Sequence, residues 1–195
     1  MADFRLRVTY AETGRLVMLS HLEIARALER AVRRAGLPYA VSQGFSPHMK
    51  QAFGSALPVG VGGLEEIFDV SLTDYVPPEE ALARLRASSA PDLMPHAARY
   101  ITKDETAASA AYPRSTYEAL LEASRSGDCE MDVLAAARAL SVPSEITVVR
   151  KKKERVLVPS EFVVGELEVE PAEPGEEGQE RALVRGQAPP AGIWR

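Results

Sequence analysis

The sequence predicts an α+β protein in which strands and helices alternate through the first half and resume in a shorter second half. Three observations predict it. Residues 4–10, FRLRVTY, alternate apolar and polar side chains with the two-residue period of a half-buried strand. Ser20-His21-Leu22-Glu23 opens a segment whose apolar residues recur at helical spacing. Residues 66–72, EIFDVSL, alternate again, and Pro77-Pro78-Glu79-Glu80 starts a second helix soon after them.

In chain order, Phe4, Leu6, Val8 and Tyr10 face one side of the first strand, and Arg5, Arg7 and Thr9 face the other. A turn at Glu12-Thr13-Gly14 follows. The first helix has Ser20 at its N-cap and Glu23 three residues on, the spacing of a capping box. It runs to about Ala35 and stops at Gly36-Leu37-Pro38, since glycine admits the left-handed cap and proline cannot continue the helix. Residues 39–43 read as a second strand and 66–72 as a third, with Phe68, Val70 and Leu72 inward. In the second helix the prolines sit where N–H groups are expendable, the acids sit at the positive dipole end, and Leu82 and Leu85 supply packing. Residues 93–101 read as a fourth strand.

Strand, helix, strand, strand, helix, strand is the ferredoxin-like split βαβ order, with both helices on one face of a four-stranded antiparallel sheet. It occupies residues 1–103, and 104–110 read as a linker. Residues 111–195 read as a second, smaller α+β half, a degenerate copy of the first. Its expected elements are a strand over 112–121, a helix over 131–140 with Leu134, Ala137 and Leu140 inward, and a strand over 146–150. Turn-like RKKKER then leads to the apolar stretches VLVP and FVVGELEVE. The acidic, Pro/Gly-rich segment 171–180 reads as a mobile hairpin loop, and the final dozen residues as loosely held.

Composition narrows the function classes. A chain of 195 residues with 46% hydrophobic content can bury a real core in one domain or two small ones. No stretch approaches the roughly 18 uninterrupted apolar residues of a membrane span, and MADFRLRV lacks the apolar core of a secretory signal. Cys129 is alone, so no intrachain disulfide, cysteine-ligated cluster or Cys-rich zinc site is expected. A cytoplasmic location with no membrane partner follows as the expectation. The net charge of −5 hides an asymmetry: residues 1–60 carry eight Lys/Arg against four Asp/Glu, whereas 161–195 carry eight Glu against three Arg. The basic half points to an anionic partner.

Within that half, Arg26, Arg30, Arg33 and Arg34 cluster on the helix side opposite Ile24, Ala25, Leu28, Val32 and Ala35, with only Glu29 among them. A solvated face is the plainer reading of such a cluster; a phosphate-backbone site is the other. Residues 42–60, SQGFSPHMKQAFGSALPVG, are too irregular for a helix, and Gly44, Pro47 and Pro58 restrict their shape. Phe45 and Phe53 can stack on bases there, while Gln43, His48 and Lys50 reach polar and phosphate groups. Phe53 reads more simply as core. Gly60-Val61-Gly62-Gly63 precedes a strand rather than a helix, so it is a connection and not a phosphate loop.

The motifs SHLE and QGFSPHMK, with LPVG and EEIFD, make the chain similar to a bacterial family, the radical-SAM-linked domain of unknown function. The matching residues are Ser20, His21, Leu22 and Glu23; Gln43, Gly44, Phe45, Pro47, His48 and Lys50; Leu57, Pro58 and Gly60; Glu66 and Asp69. Glu23 stands where the family usually has aspartate and Ser46 where it usually has asparagine. The likeness is close over residues 4–103 and thinner to about 158. It implies a partner, a radical-SAM protein carrying its own iron–sulfur cluster and SAM, and no cofactor on this chain. It implies no activity, because the family has none established.

His21 and His48 are the candidate acid–base residues, since histidine titrates near neutrality. Each has a plainer reading: His21 bonded to a backbone carbonyl, His48 exposed on a turn. Converging with Gln43, Lys50, Glu66 and Asp69 they would form a phosphate or metal site, yet no HxxxH-type spacing supports a metal. Ser46 lacks a nucleophile-elbow context and Cys129 a catalytic one. The leading expectation is a non-catalytic RNA-binding module (tRNA or rRNA) that aids RNA modification by a radical-SAM enzyme. The alternatives are a metal-independent ribonuclease using His21 or His48, and a protein–protein adaptor for the radical-SAM partner.

Overall fold

A computed structural model describes residues 4–122, 132–140, 143–150, 153–161, 163–173 and 181–188. The chain divides into two compact units, the first running to Tyr112 and the second starting at Pro113.

The first unit runs β1 (Phe4–Glu12), a 3-10 turn (Gly14–Met18), α1 (His21–Arg34), β2 (Gln51–Phe53), β3 (Gly63–Leu72), α2 (Pro78–Ser88) and β4 (Leu93–Ile101). Its strands form one antiparallel sheet in the order β2-β3-β1-β4. This is the connectivity and strand order of a split βαβ unit. The alternation of β1 sends Leu6, Val8 and Tyr10 into a core shared with Phe68, Val70 and Leu72 of β3. Ile24, Leu28 and Val32 of α1 and Ala81 and Leu85 of α2 close that core, so both helices bury their apolar residues against the same side chains. Each of the fully buried leucines, phenylalanine and isoleucine contributes about 1.5–3 kcal/mol of transfer free energy.

Local chemistry sets the helix boundaries. The Glu23 carboxylate accepts from the Ser20 N–H at 2.8 Å and the Ser20 hydroxyl at 2.7 Å. It thereby occupies a donor at the helix start and adds negative charge at the positive dipole end. At the other end Gly36 takes φ +64°, the left-handed conformation that stops α1.

The second strand differs from the expectation. Residues 39–43 make only isolated bridges, Tyr39 to Leu72 and Val41 to Met49, and the edge strand is Gln51–Phe53. The β3 edge accepts both segments: Ala40 N–H donates to Ser71 O, and Ser71 N–H donates to Lys50 O. Residues 42–48 are thereby displaced from the sheet as the tip of a hairpin arm, and the strand resumes beyond it.

The sheet face away from the helices is also occupied. Arg7 meets Asp69 with two hydrogen bonds, Nε to Oδ1 at 2.7 Å and Nη2 to Oδ2 at 2.9 Å. Arg7 Nη2 also donates to Thr106 O at 2.7 Å, and Ala108 N–H donates to Asp69 Oδ2 at 2.9 Å. Residues 104–110, which composition suggests as a linker, therefore contribute backbone groups to this network, and Ala108 is buried.

In the second unit β5 (Ser115–Glu122), β8 (Val164–Ala172) and β9 (Arg181–Ala188) form a sheet in the order β5-β9-β8. A separate hairpin joins β6 (Ile146–Arg150) to β7 (Lys153–Leu157). The short helix α3 (Val133–Arg138) packs Val133 and Ala137 against Ala182 and Val184. Leu140, expected inward, is exposed because α3 ends before it. Residues 181–188 form the central strand, which takes in 184–188 of the final dozen residues expected to be loosely held. Arg185 pairs there with Glu118 and Glu170 from the strands on either side. Among the described residues this strand order does not repeat that of the first unit. Cys129, Trp194 and residues 174–180 of the expected acidic loop lie outside the described residues.

Candidate functional site

Two groups of side chains in the first unit are candidates for a functional site. The first is the hairpin arm with the polar face of α1. Ser42 N–H donates to His48 O at 2.8 Å, His48 N–H donates to Ser42 Oγ at 3.1 Å, and Lys50 N–H donates to Ala40 O at 2.8 Å. These bonds tie the arm into a defined shape below its tip. At the tip Gly44 takes φ +136°, a conformation that L side chains rarely adopt. Gln43, Phe45, Ser46, Pro47 and His48 are all exposed, and Phe45 stands entirely in solvent, with a relative accessibility of 112%. Lys50 is also exposed.

The α1 arginines separate into two pairs. Arg33 bonds Glu29 and lies 5.7 Å over the Tyr39 ring, tying the helix to the base of the arm. Arg34 donates to the Ser88 carbonyl at the end of α2. Arg26 and Arg30 are exposed without comparable side-chain bonds among the described residues.

The second group lies where β1 ends and β3 begins. The His21 ring meets Phe53 edge-on at 5.5 Å, Phe53 stacks on Phe68 at 6.0 Å, and Phe68 meets Tyr10 at 5.9 Å. Tyr10 is the cross-strand neighbour of Glu66, and Glu12 that of Gly63. Glu12 is only 5% exposed and Tyr10 only 4%. Among the described residues neither carboxylate has a hydrogen-bond or ion-pair partner. Burial, and then the Glu66 charge, push the Glu12 carboxyl up to about 7. Burial also raises Glu66 and Tyr10 and lowers His21, so the imidazole favours its neutral form.

The sign of the resulting pH dependence is fixed. A carboxyl raised from 4.5 to about 7 on folding contributes stability that is fully present below 4.5 and is lost as pH rises through about 7. Glu12→Gln removes that loss and is expected to stabilise the first unit at pH 8 by on the order of 1–3 kcal/mol, with little change at pH 4.5. Urea unfolding of both proteins at the two pH values measures it, and equal pH profiles would contradict it.

These positions correct the sequence-based convergence. Glu66 and Asp69 do not share a site: Asp69 is committed to Arg7 on the opposite sheet face. His21 packs on Phe53, whereas His48 is on the exposed tip, and no contact joins the two histidines among the described residues. Phe53 is core-facing, stacked on Phe68. The sequence reading missed Tyr10 and Glu12 as chemistry. Their signal is the period of β1, which continues past Leu6 and Val8 and puts a carboxylate at an inward position. Among the described residues no group of three or more His, Cys, Asp or Glu is placed to hold a metal ion. No helix among them is long and apolar enough to cross a membrane.

The fold and these sites define a two-unit α+β protein with a split βαβ first unit, a solvent-facing aromatic arm, and a buried Glu12 beside a half-buried Glu66. The sequence profile of a family described as an uncharacterized protein conserved in bacteria (DUF2344) matches residues 5–182, and the chain belongs to that family. A search of curated proteins finds no match.

Proposed function

We propose that this protein is a non-catalytic RNA-binding accessory of a radical-SAM enzyme, holding tRNA or rRNA for modification. The carrying observation is Phe45, a large aromatic side chain wholly in solvent on a hairpin tip whose backbone is already tied. Leaving such a ring exposed has no benefit to the folded chain, whereas stacking on a base yields about 1–3 kcal/mol. Arg26 and Arg30 supply the phosphate contacts, and His48 and Gln43 the polar ones beside the ring. The radical-SAM link rests on the SHLE and QGFSPHMK motifs. A ribonuclease using His21 or His48 is the second reading; the two histidines belong to separate surroundings, so it would rest on one of them alone.

Filter binding of labelled total tRNA at two salt concentrations tests the proposal. Binding is expected to fall with salt. In Arg26→Ala/Arg30→Ala the slope against log salt decreases by about 1.4, from two contacts at about 0.7 each. Phe45→Ala is expected to weaken binding roughly 5- to 150-fold at unchanged slope. Salt-independent binding, or none by the wild type at low salt, would favour a protein–protein adaptor instead.

A further inference from the structure

The acids of the first unit divide sharply. Asp69 is held by Arg7, Glu29 by Arg33, Glu80 by Arg84, Glu105 by Arg99 and Glu23 by Ser20. Glu12 is buried and Glu66 half-buried where Tyr10 pairs with Glu66 and Glu12 with Gly63, and neither carboxylate has such a partner among the described residues. Desolvating one carboxylate is costly, and adding a second beside it costs more, so the arrangement is poor for stability alone. The Tyr10 phenol is a separate observation at the same place. It is more than nine-tenths buried, is the cross-strand neighbour of Glu66, and makes no hydrogen bond to a described residue.

We propose that this end of the first unit is a recognition site for a cationic group, an alkylammonium or a guanidinium, supplied either by a side chain of a partner protein or by a small amine. The chemistry of the lining is what such a group requires. Glu12 and Glu66 accept its N–H donors and neutralise its charge. Tyr10 and Phe53 offer aromatic surface for a desolvated cation. Glu66 and His21 are half-buried and give the approach from solvent.

The flanking glycines make room for the Glu66 side chain and for close backbone packing around it. A Cβ on Gly63 would stand 2.4 Å from Glu66 Cγ and 2.9 Å from its Oε1, and one on Gly54 would reach 3.9 Å from Glu66 Oε2. Gly62 lies against the Glu12 carbonyl, where a Cβ would come within 3.1 Å. A side chain at Gly63 would occupy the space of the carboxylate itself.

Binding is linked to pH through the groups facing the site: Glu12, Glu66, Tyr10 and His21. Glu12, raised to about 7, is largely protonated at pH 6 and largely ionised at pH 8, and only the ionised form neutralises a cation. Affinity should therefore rise roughly tenfold over that interval. Tyr10, raised, and His21, lowered, stay neutral at the upper end of it.

The test is an NMR titration of the full chain, following the tyrosine ring signals. The probes are n-butylguanidinium, n-butylammonium, a capped tripeptide with a central arginine, and neutral n-butylurea. Saturable binding of at least one cation at pH 8 is expected, weaker at pH 6, with none by n-butylurea. Glu12→Gln and Glu66→Gln, near-isosteric and free of charge repulsion, should each weaken it by at least about tenfold. Tighter binding of the tripeptide than of n-butylguanidinium assigns a partner side chain; the reverse assigns a small amine. No saturation by any cation in the wild type at pH 8, or equal affinity in both variants, overturns the proposal. That result leaves the RNA reading intact, since the arm and the α1 arginines take no part in it.

Discussion

Replacing Asp69 with alanine is expected to destabilise the first unit by about 3–5 kcal/mol, the cost of leaving a buried arginine without its partner. Arg7 is 5% exposed, and the Asp69 carboxylate accepts two of its three hydrogen bonds, the third going to Thr106 O. Asp69 also accepts from Ala108 N–H and from Arg5 Nη2, the latter at 3.4 Å. Its loss therefore frees residues 102–110 as well as orphaning a charge. A thermal midpoint lower by more than about 10 °C should accompany the change. Amide exchange at Ala108 should accelerate before global unfolding does. The double variant Arg7→Met/Asp69→Leu removes the orphaned charge along with the pair and should recover most of the lost stability. Asp69→Ala within 1 kcal/mol of wild type would show that the pair is worth no more than an exposed one.

Phe68→Ala carries the second large effect. Phe68 is wholly buried in β3, stacked on Phe53 and edge-on to Tyr10. Truncation removes its transfer free energy and leaves a cavity, together about 3–5 kcal/mol, with roughly 0.5–1.5 kcal/mol more for each aromatic pair. The ring also transmits order: through Phe53 it supports His21, and through Tyr10 it adjoins Glu12 and Glu66. Phe68→Leu should cost less stability than Phe68→Ala yet still loosen His21, detectable as a shift of the imidazole titration toward its ordinary range. Urea unfolding and histidine NMR read the two effects. An unchanged His21 titration in a folded Phe68→Leu protein would contradict this route.

Much of the first unit was legible because its signals are local. The period of residues 4–10, the Ser20/Glu23 spacing, the Gly36 stop and the Pro77-Pro78 start each act within one element, and the structure keeps them. The edge strand was misplaced because strand choice there is a tertiary competition. Residues 39–40 and 51–53 both bond to β3, and only the partner's register decides which pairs continuously. The fate of Asp69 was invisible for a similar reason. Alternation along β3 puts Asp69 on the face opposite Phe68 and Val70, but the arginine that meets it lies 62 positions earlier. Glu12 was read as part of a turn, and its burial depends on β1 extending through a register shift between Tyr10 and Glu12. In the second unit, β9 draws stability from strands on both sides, information that its own residues do not contain.

The measurement that bears most directly on the RNA reading is ultraviolet crosslinking of total tRNA to the full chain, followed by tryptic mapping. Residues 35–50 lie between Arg34 and Lys50 and form one tryptic peptide containing the whole arm tip. A nucleotide adduct on that peptide, at Phe45 and absent from Phe45→Ala, is the expected result. Adducts confined to residues beyond Pro113, or none under conditions where a known RNA-binding protein crosslinks, would contradict the account.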